Sequence, residues 1–412
     1  WSSDVCSSDL YGPDRERWLA RLRAEAPNLR SALIWLTEAG AGGPAYGDLR
    51  MASALAAYCR LEGWYREGYD WLVAALARHP TAPAGLRARA GTAAAMLAML
   101  YCDYPAAVEQ AELARRACRS AGERLAEARV EQILGSVARE RAQYAESTRH
   151  LATAGAIFAE CGDERGEAHT VELRGFTAWL AGDLDRAESR LRASLRRYER
   201  LDDPVAAASA LMNLGAVALY RGDVDRASSL LDIALQRYTE LDFPEGLGWA
   251  HNLRGLVELR GRRIGRAPGH LLASLAAHRQ VGDRWRTASV LEALAEVSRL
   301  DGEPVRAVRL LGAAARIRDE IGAPVPACER PEVRATEQAL RARLAGASGL
   351  PAPRDVADDS RTGRPAGPPS FVAAYRDGWS APLDTLLPPV ADRRAPTRSD
   401  PAPDRPPAPT HR

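Results

Sequence analysis

The side chains of this chain best suited to hold a metal or move a proton near neutral pH are its histidines and cysteines, so their spacing is the first thing to test. No H-x-x-x-H or H-E-x-x-H run places two imidazoles on one helix face, and no C-x-x-C pair occurs. Asp183-x-Asp185 and Asp223-x-Asp225 have the spacing of the first ligands of a calcium loop. The glycine and distal glutamate such a loop needs are missing, so helix capping accounts for them better. There is no G-x-S-x-G nucleophile turn. All 56 basic residues are Arg and none is Lys, which rules out a complete P-loop, a Schiff-base lysine or a kinase lysine. The chain is therefore read as non-enzymatic, with no catalytic, cofactor-binding or metal-binding residue assigned.

The basic residues are offset by 54 acidic ones, leaving a net charge of +2, which argues against direct nucleic-acid contact. No run of 18 apolar residues and no basic-then-apolar leader is visible, so neither a membrane span nor a secretory signal is expected. Six Cys in 412 residues fit a reducing compartment, and the expected location is the cytoplasm. Residues 1–10, with a doubled Ser-Ser-Asp and no Met, differ abruptly in composition from the Arg- and Ala-rich chain after Tyr11. They resemble a translated sequencing adapter and are set aside, Cys6 included. A coding frame continuing upstream is the corresponding expectation, which would make the chain a C-terminal fragment.

The elements that position the remaining side chains derive from an internal repeat. Gly135, Gly175, Gly215 and Gly255 lie 40 residues apart. Gly182, Gly222 and Gly302 keep the same step, as do Gly122, Gly162, Gly282 and Gly322 with Asp202 and Asp242 in the gaps. A fourth column runs Ala107, Ser147, Ala187, Ala227, Ala267 and Ala307. Apolar residues at Ala187, Leu191, Leu195 and Tyr198, repeated at Ala227, Leu231, Leu235 and Tyr238, mark one face of a helix. Each unit thus reads helix, turn, helix, turn. Gly182-Asp183 and Gly222-Asp223 end one helix and cap the next, and the first glycine column, faced by the alanine column, lets the two helices approach closely. Units are expected to begin near 88, 128, 168, 208, 248 and 288, after a degenerate one over 49–87. In the fifth unit, Gly265-Arg266-Ala267-Pro268-Gly269 should delay or kink the second helix, as a tolerated surface variation or as a hinge.

Leu-Gly seven residues before Gly-Asp, with Ala five residues after that second Gly (Asn213-Leu214-Gly215, Gly222-Asp223, Ala227), resembles the tetratricopeptide repeat. The period of 40 is about a turn and a half longer than that family's 34. The resemblance implies an all-α, right-handed superhelical solenoid of about seven TPR-like helix-turn-helix repeats. The flanks extend it. Trp18, Leu19, Leu22, Asn28, Leu29, Leu33 and Trp35, then Arg60 to Leu76, and after the repeats Leu310-Leu311-Gly312-Ala313-Ala314 and Gly322-Ala323-Pro324, are similar to the MalT-like sensor arm of actinobacterial STAND-class, LuxR-like ATPase regulators. The expected organisation is a helical junction over 11–48, repeats over 49–327, a closing helix over 328–346, a linker with a short docking helix over 347–387, and a disordered tail over 388–412. Residues 351–412 hold 14 of the 27 prolines, which is why that last part should not order itself.

Cys118 and His278 share a column with Phe158, Tyr198 and Tyr238, and His251 one with Val171, Leu211 and Leu291, so packing is the expected role of all three. His150, His169 and His270 fall in other columns. In the family register the first helix of each unit lines the concave face. That puts Phe176, Trp179, Leu180, Met212, Leu219, Tyr220, Trp249, Asn252 and Arg260 there, flanked by Arg129, Gln132, Arg139 and Glu140 on one side and Glu292, Glu296 and Arg299 on the other. Either these residues form an aromatic groove for a ligand, or they pack between units. The expected function is a non-catalytic interaction or effector-sensing domain with a protein, peptide or small effector on the concave face. It would be the C-terminal fragment of an ATP-dependent transcription regulator, with ATP bound only upstream, or a stand-alone adaptor for a peptide or partner helix. Apolar area near Trp18 and Trp35 points to self-association.

Overall fold

The computed structural model describes residues 15–38, 44–348 and 369–387. The expectations for residues 1–10 and 388–412 fall outside them. Every regular element among the described residues is helical. Helix α1 spans Arg15–Glu38 and is succeeded by seven helix pairs. These are α2 (Gly47–Glu62) with α3 (Tyr65–Arg78), α4 (Ala84–Leu100) with α5 (Tyr104–Ala121), and α6 (Arg124–Glu140) with α7 (Tyr144–Cys161). Next come α8 (Glu164–Ala181) with α9 (Leu184–Arg200), α10 (Pro204–Tyr220) with α11 (Val224–Glu240), α12 (Pro244–Arg260) with α13 (Ala267–Val281), and α14 (Arg284–Leu300) with α15 (Pro304–Ile321). Helix α16 (Arg330–Ser348) closes the stack, and α17 (Phe371–Ser380) and α18 (Leu383–Leu386) return to it.

The first helices of six consecutive pairs start at 84, 124, 164, 204, 244 and 284, so the 40-residue period holds in three dimensions. Each start precedes the expected one by four residues. The opening turn of these helices mixes exposed, half-buried and buried positions whose residue types do not repeat, such as Leu86, Glu127, Ala207 and Trp285, so it carries no apolar periodicity to read. The turns explain the glycine columns. Gly122, Gly162, Gly282 and Gly322 have φ of +63° to +74°, and Asp202 and Asp242 take the same left-handed conformation at +50° and +44°. Gly182, Gly222 and Gly302 are left-handed too, and their column is completed by Cys102, Ala142 and Arg262, each with positive φ. Only the period, not the residue type, points to these three. Asp183 and Asp223 then accept from the amides of Arg186 and Arg226 at 3.1 Å, capping the next helix as expected.

Within a pair, a Cβ added at Gly135, Gly175, Gly215 or Gly255 would stand 2.8, 2.8, 2.9 and 2.6 Å from Leu151, Leu191, Leu231 and Leu271 respectively. The close approach is the expected one, but the facing side chain is this leucine, one turn beyond the alanine column. That column is sealed between the helices: Ala107, Ser147, Ala187, Ala227, Ala267 and Ala307 are all fully buried. Between pairs, the column of Cys118, Phe158, Tyr198, Tyr238 and His278 is buried as well. Phe158 and Tyr238 lie against Gly166 and Gly246 of the next helix, where a Cβ would come within 2.3 and 2.6 Å. In the sixth pair, the second helix is delayed by a 3₁₀ turn over Ile264–Arg266 before α13 begins.

The first helices also pack on one another from pair to pair, forming an inner layer that the second helices surround. From residue 130 onward α6 is buried throughout, and so is most of α10 and α14. The stack curves enough for distant pairs to meet. Gly63 lies against Val281, and Cys102 Sγ is 4.0 Å from Asp283 Oδ1, 181 residues away in sequence. Near the C-terminal end, α17 crosses α15 through facing glycines. A Cβ at Gly378 would fall 2.0 Å from the Arg309 carbonyl oxygen, and one at Gly312 would fall 2.2 Å from that of Tyr375.

Candidate binding site on the inner face

Helices α8, α10 and α12 are consecutive inner helices, and their register brings aromatic residues from three units together. Phe176 stacks on Trp179 with ring centres 5.1 Å apart and meets Trp249 edge-on at 4.9 Å. Trp179 lies 5.9 Å from Tyr220. A guanidinium covers three of the four rings: Arg139 at 4.3 Å from Phe176, Arg286 at 3.6 Å from Trp249 and Arg260 at 4.4 Å from Tyr220. Five of the nine residues expected on the concave face, Phe176, Trp179, Tyr220, Trp249 and Arg260, thus form one cluster, and Leu180 and Leu219 are buried beside it in sequence. Met212 and Asn252 are buried on α10 and α12, about two turns from Tyr220 and one from Trp249.

The cluster is not an open groove. Phe176 and Trp179 are almost fully buried, while Tyr220, Trp249 and Arg260 are half-buried. The curvature that joins distant units also draws charged side chains inward. Arg139 pairs with Glu140 at 2.9 Å, and Glu140 also accepts from Tyr104 Oη at 2.9 Å. Arg286 pairs with Asp283 at 2.6 Å and Arg318 with Glu292 at 2.8 Å. Gln132 is tied to Thr170 Oγ1, and Glu296 to Arg299 and Thr336; Arg129 stays exposed. Arg286 and Arg318 are residues of this interior that sequence reasoning misses, as are Tyr104, Asp283, Tyr144 and Glu329, which they or the site contact. One signal for Arg318 exists in the repeat, since Glu172–Tyr198 and Glu292–Arg318 are both contacts between residues 26 apart, in units 120 apart. Several buried polar atoms have no partner among the described residues: Trp179 Nε1, Asn252 Oδ1, Arg139 Nε and Arg318 Nη1. Buried donors and acceptors are normally satisfied, so this interior retains unused hydrogen-bonding capacity.

The chain itself crosses one edge of the site. Between α15 and α16, residues 323–326 have no regular secondary structure and 327–329 form a turn. Ala327 N–H donates to Tyr144 Oη at 3.1 Å and Cys328 N–H to the Leu180 carbonyl at 3.2 Å. Ser289 Oγ donates to Glu329 at 3.4 Å, Arg318 stands 4.0 Å from that carboxylate, and Arg260 pairs with Glu332. Burial pushes Glu329 up to about 7, against the pull of Arg318 and with a further push from Glu292.

The histidines do not assemble a site. His150 Nδ1 is 2.6 Å from Glu131 Oε2, and His251 and His270 face each other at 3.0 Å across the sixth pair. Among the described residues, no group of three or more His, Cys, Asp or Glu is placed to hold a metal. No described helix is long and apolar enough to cross a membrane.

No family model matches the chain, and no curated protein matches it. Solved structures do. The Rap conjugation gene regulator of the plasmid pLS20, in complex with the Phr* peptide, aligns with a TM-score of 0.56 at 13% identity over 66% of this chain and 74% of that one. A Rap protein complexed with Competence and Sporulation Factor gives 0.54 at 13% identity, over 82% and 98%. The apo form of RapI gives 0.51 at 12% identity, over 66% and 98%. These likenesses establish a shared helical-repeat fold.

Proposed function

We propose that this chain is a non-catalytic repeat domain that binds a peptide or protein segment on its inner face. The observation that carries the reading is the cluster of Phe176, Trp179, Tyr220 and Trp249 under three guanidinium groups, beside the unpartnered Trp179 Nε1 and Asn252 Oδ1. Aromatic faces, fixed cations and free hydrogen-bonding atoms suit a ligand that is partly apolar and partly anionic. Two of the similar structures were solved in complex with the Phr* peptide and with Competence and Sporulation Factor, which supports a peptide or protein partner. A small effector with those features would serve as well. In the finer reading the domain is the cytoplasmic sensor arm of a STAND-class, ATP-dependent transcription regulator, whose ATP site and DNA-binding module lie outside these residues. A stand-alone adaptor is the alternative, and reading the genomic locus upstream of the Tyr11 codon for a P-loop ATPase separates the two. The binding reading is tested with peptides selected by the wild-type protein from a random library. Trp179→Ala with Tyr220→Ala should weaken them at least about tenfold, the scale at which buried aromatic anchors act. Unchanged binding by a double variant that keeps its helical signal would sink the inner-face site.

A further inference from the structure

The segment from Ala323 to Glu329 differs from the other connections in the stack. Among the seven pairs, most connections join consecutive helices within two or three residues through a left-handed residue; the exceptions are five residues between α3 and α4 and six, including the 3₁₀ turn, between α12 and α13. Here eight residues separate α15 from α16, and Pro324 and Pro326 hold the preceding residues to extended conformations. The contacts of this stretch reach across the stack. Ala327 is held by Tyr144 of the third pair, Cys328 by Leu180 of the fourth, and Glu329 by Ser289 and Arg318 of the seventh. Leu180 belongs to the last turn of α8, where carbonyl oxygens have no partner within the helix. An incoming backbone N–H therefore finds an acceptor waiting. These are the means by which a peptide segment is recognised: main-chain donors meet fixed acceptors, and a side-chain carboxylate meets a guanidinium.

We infer that residues 323–329 are a built-in occupant of a peptide seat, formed by Tyr144, Leu180, Ser289 and Arg318, which takes a proline-containing segment entering a turn that carries an acidic residue, and is open to a partner only when the chain's own segment leaves. The inference rests on the peptide-binding reading above and names the register and chemistry of the ligand. The polar part of the hold is modest, two neutral hydrogen bonds, one long hydroxyl contact and an ion pair at 4.0 Å, and it is joined by burial of Ala323 and Pro326 and packing of Cys328 against the core. The carboxylate is also desolvated, as the upward shift of Glu329 shows. Competition is nonetheless strong, because a tethered segment acts at an effective concentration of order mM. A seat closed about 90–99% of the time lowers apparent affinity for a partner about 10- to 100-fold.

The test uses the full chain and a fluorescent peptide of residues 322–332, carrying Cys328→Ser to prevent disulfide formation. Ala327→Pro with Glu329→Lys removes the donor to Tyr144 and sets a cation beside Arg318, while leaving Cys328 in place as a reporter. Tyr144→Phe is a milder second variant that removes only the acceptor. Alkylation of Cys328 should rise toward that of the exposed Cys161 in both variants. The peptide should bind the double variant at least about tenfold more tightly than wild type, and a peptide with Glu329→Lys should not. If Cys328 becomes reactive while peptide affinity stays unchanged, the seat does not take a peptide. If Cys328 stays protected in both variants with helicity intact, the segment is fixed framework. Either result overturns the inference. Neither touches the aromatic cluster, whose reading fails only if Trp179→Ala with Tyr220→Ala leaves selected partners bound.

Discussion

His278 shows how one column position can carry different side chains for different physical reasons. Its neighbours in the column are Cys118, Phe158, Tyr198 and Tyr238, all buried against the next helix, so packing is legible from period alone. The imidazole adds a titration. Burial lowers His278 to about 4, more than the nearby Asp283 carboxylate at 3.6 Å raises it. In the unfolded chain the same group takes a proton near 6.5. Between about pH 6.5 and 4 the unfolded state therefore binds more protons, and stability from this group falls as pH drops through that window. His278→Gln should flatten the decline of the urea midpoint between pH 7 and 5 relative to wild type. An identical decline in both proteins would mean the histidine is not buried neutral. The left-handed residues make the complementary point. Gly182 and Gly222 announce their turns, whereas Ala142 and Arg262 adopt the same conformation with no local sign beyond their place in the register, because the stacked helices on either side impose it.

At the scale of elements, helix pairs and their closest approaches are legible because a 40-residue step repeats both residue size and turn chemistry. The start of each inner helix is not, since a first turn of mixed burial repeats no apolar pattern and the apolar register begins four residues late. The partner of the first glycine column lies one turn from the expected alanine, because spacing alone cannot tell which side chain of a facing helix reaches across. Helix α17 falls in the stretch where a short docking element is expected, but its means of attachment has no sign in the sequence. It seats on α15 where Gly378 and Gly312 put backbone against backbone, helped by Arg309–Asp377 at 2.6 Å. At 10 residues such a helix has little stability of its own. Gly378→Ala would place a methyl 2.0 Å from the Arg309 carbonyl, an overpacking cost of about 1–3 kcal/mol. Limited proteolysis should then cut within 371–387 while the repeats keep their helical signal. Unaltered protection of that stretch would show that the glycine contact does not hold the helix.

At the scale of the whole molecule, a solenoid gains stability from neighbour contacts, yet this one curves until Gly63 meets Val281 and Cys102 approaches Asp283. The same curvature turns the expected aromatic groove into an interior. The sequence register identifies which residues meet there. It does not show that Arg139 and Arg286 cover the rings, or that Ala327 and Cys328 cross the edge, because those contacts join residues whose separations are not multiples of the repeat; Arg260 over Tyr220 and Glu329 beside Ser289 are one repeat apart, but no other unit carries the same pair of residue types. Function on this account requires the interior to open locally without loss of the stack. Hydrogen exchange resolved residue by residue on the full chain measures that directly. The amides of Ala327 and Cys328 should exchange through local opening well before those of residues 130–138, with helicity unchanged. If both sets exchange together and only as the whole chain unfolds, the inner face is a sealed core and does not bind a partner.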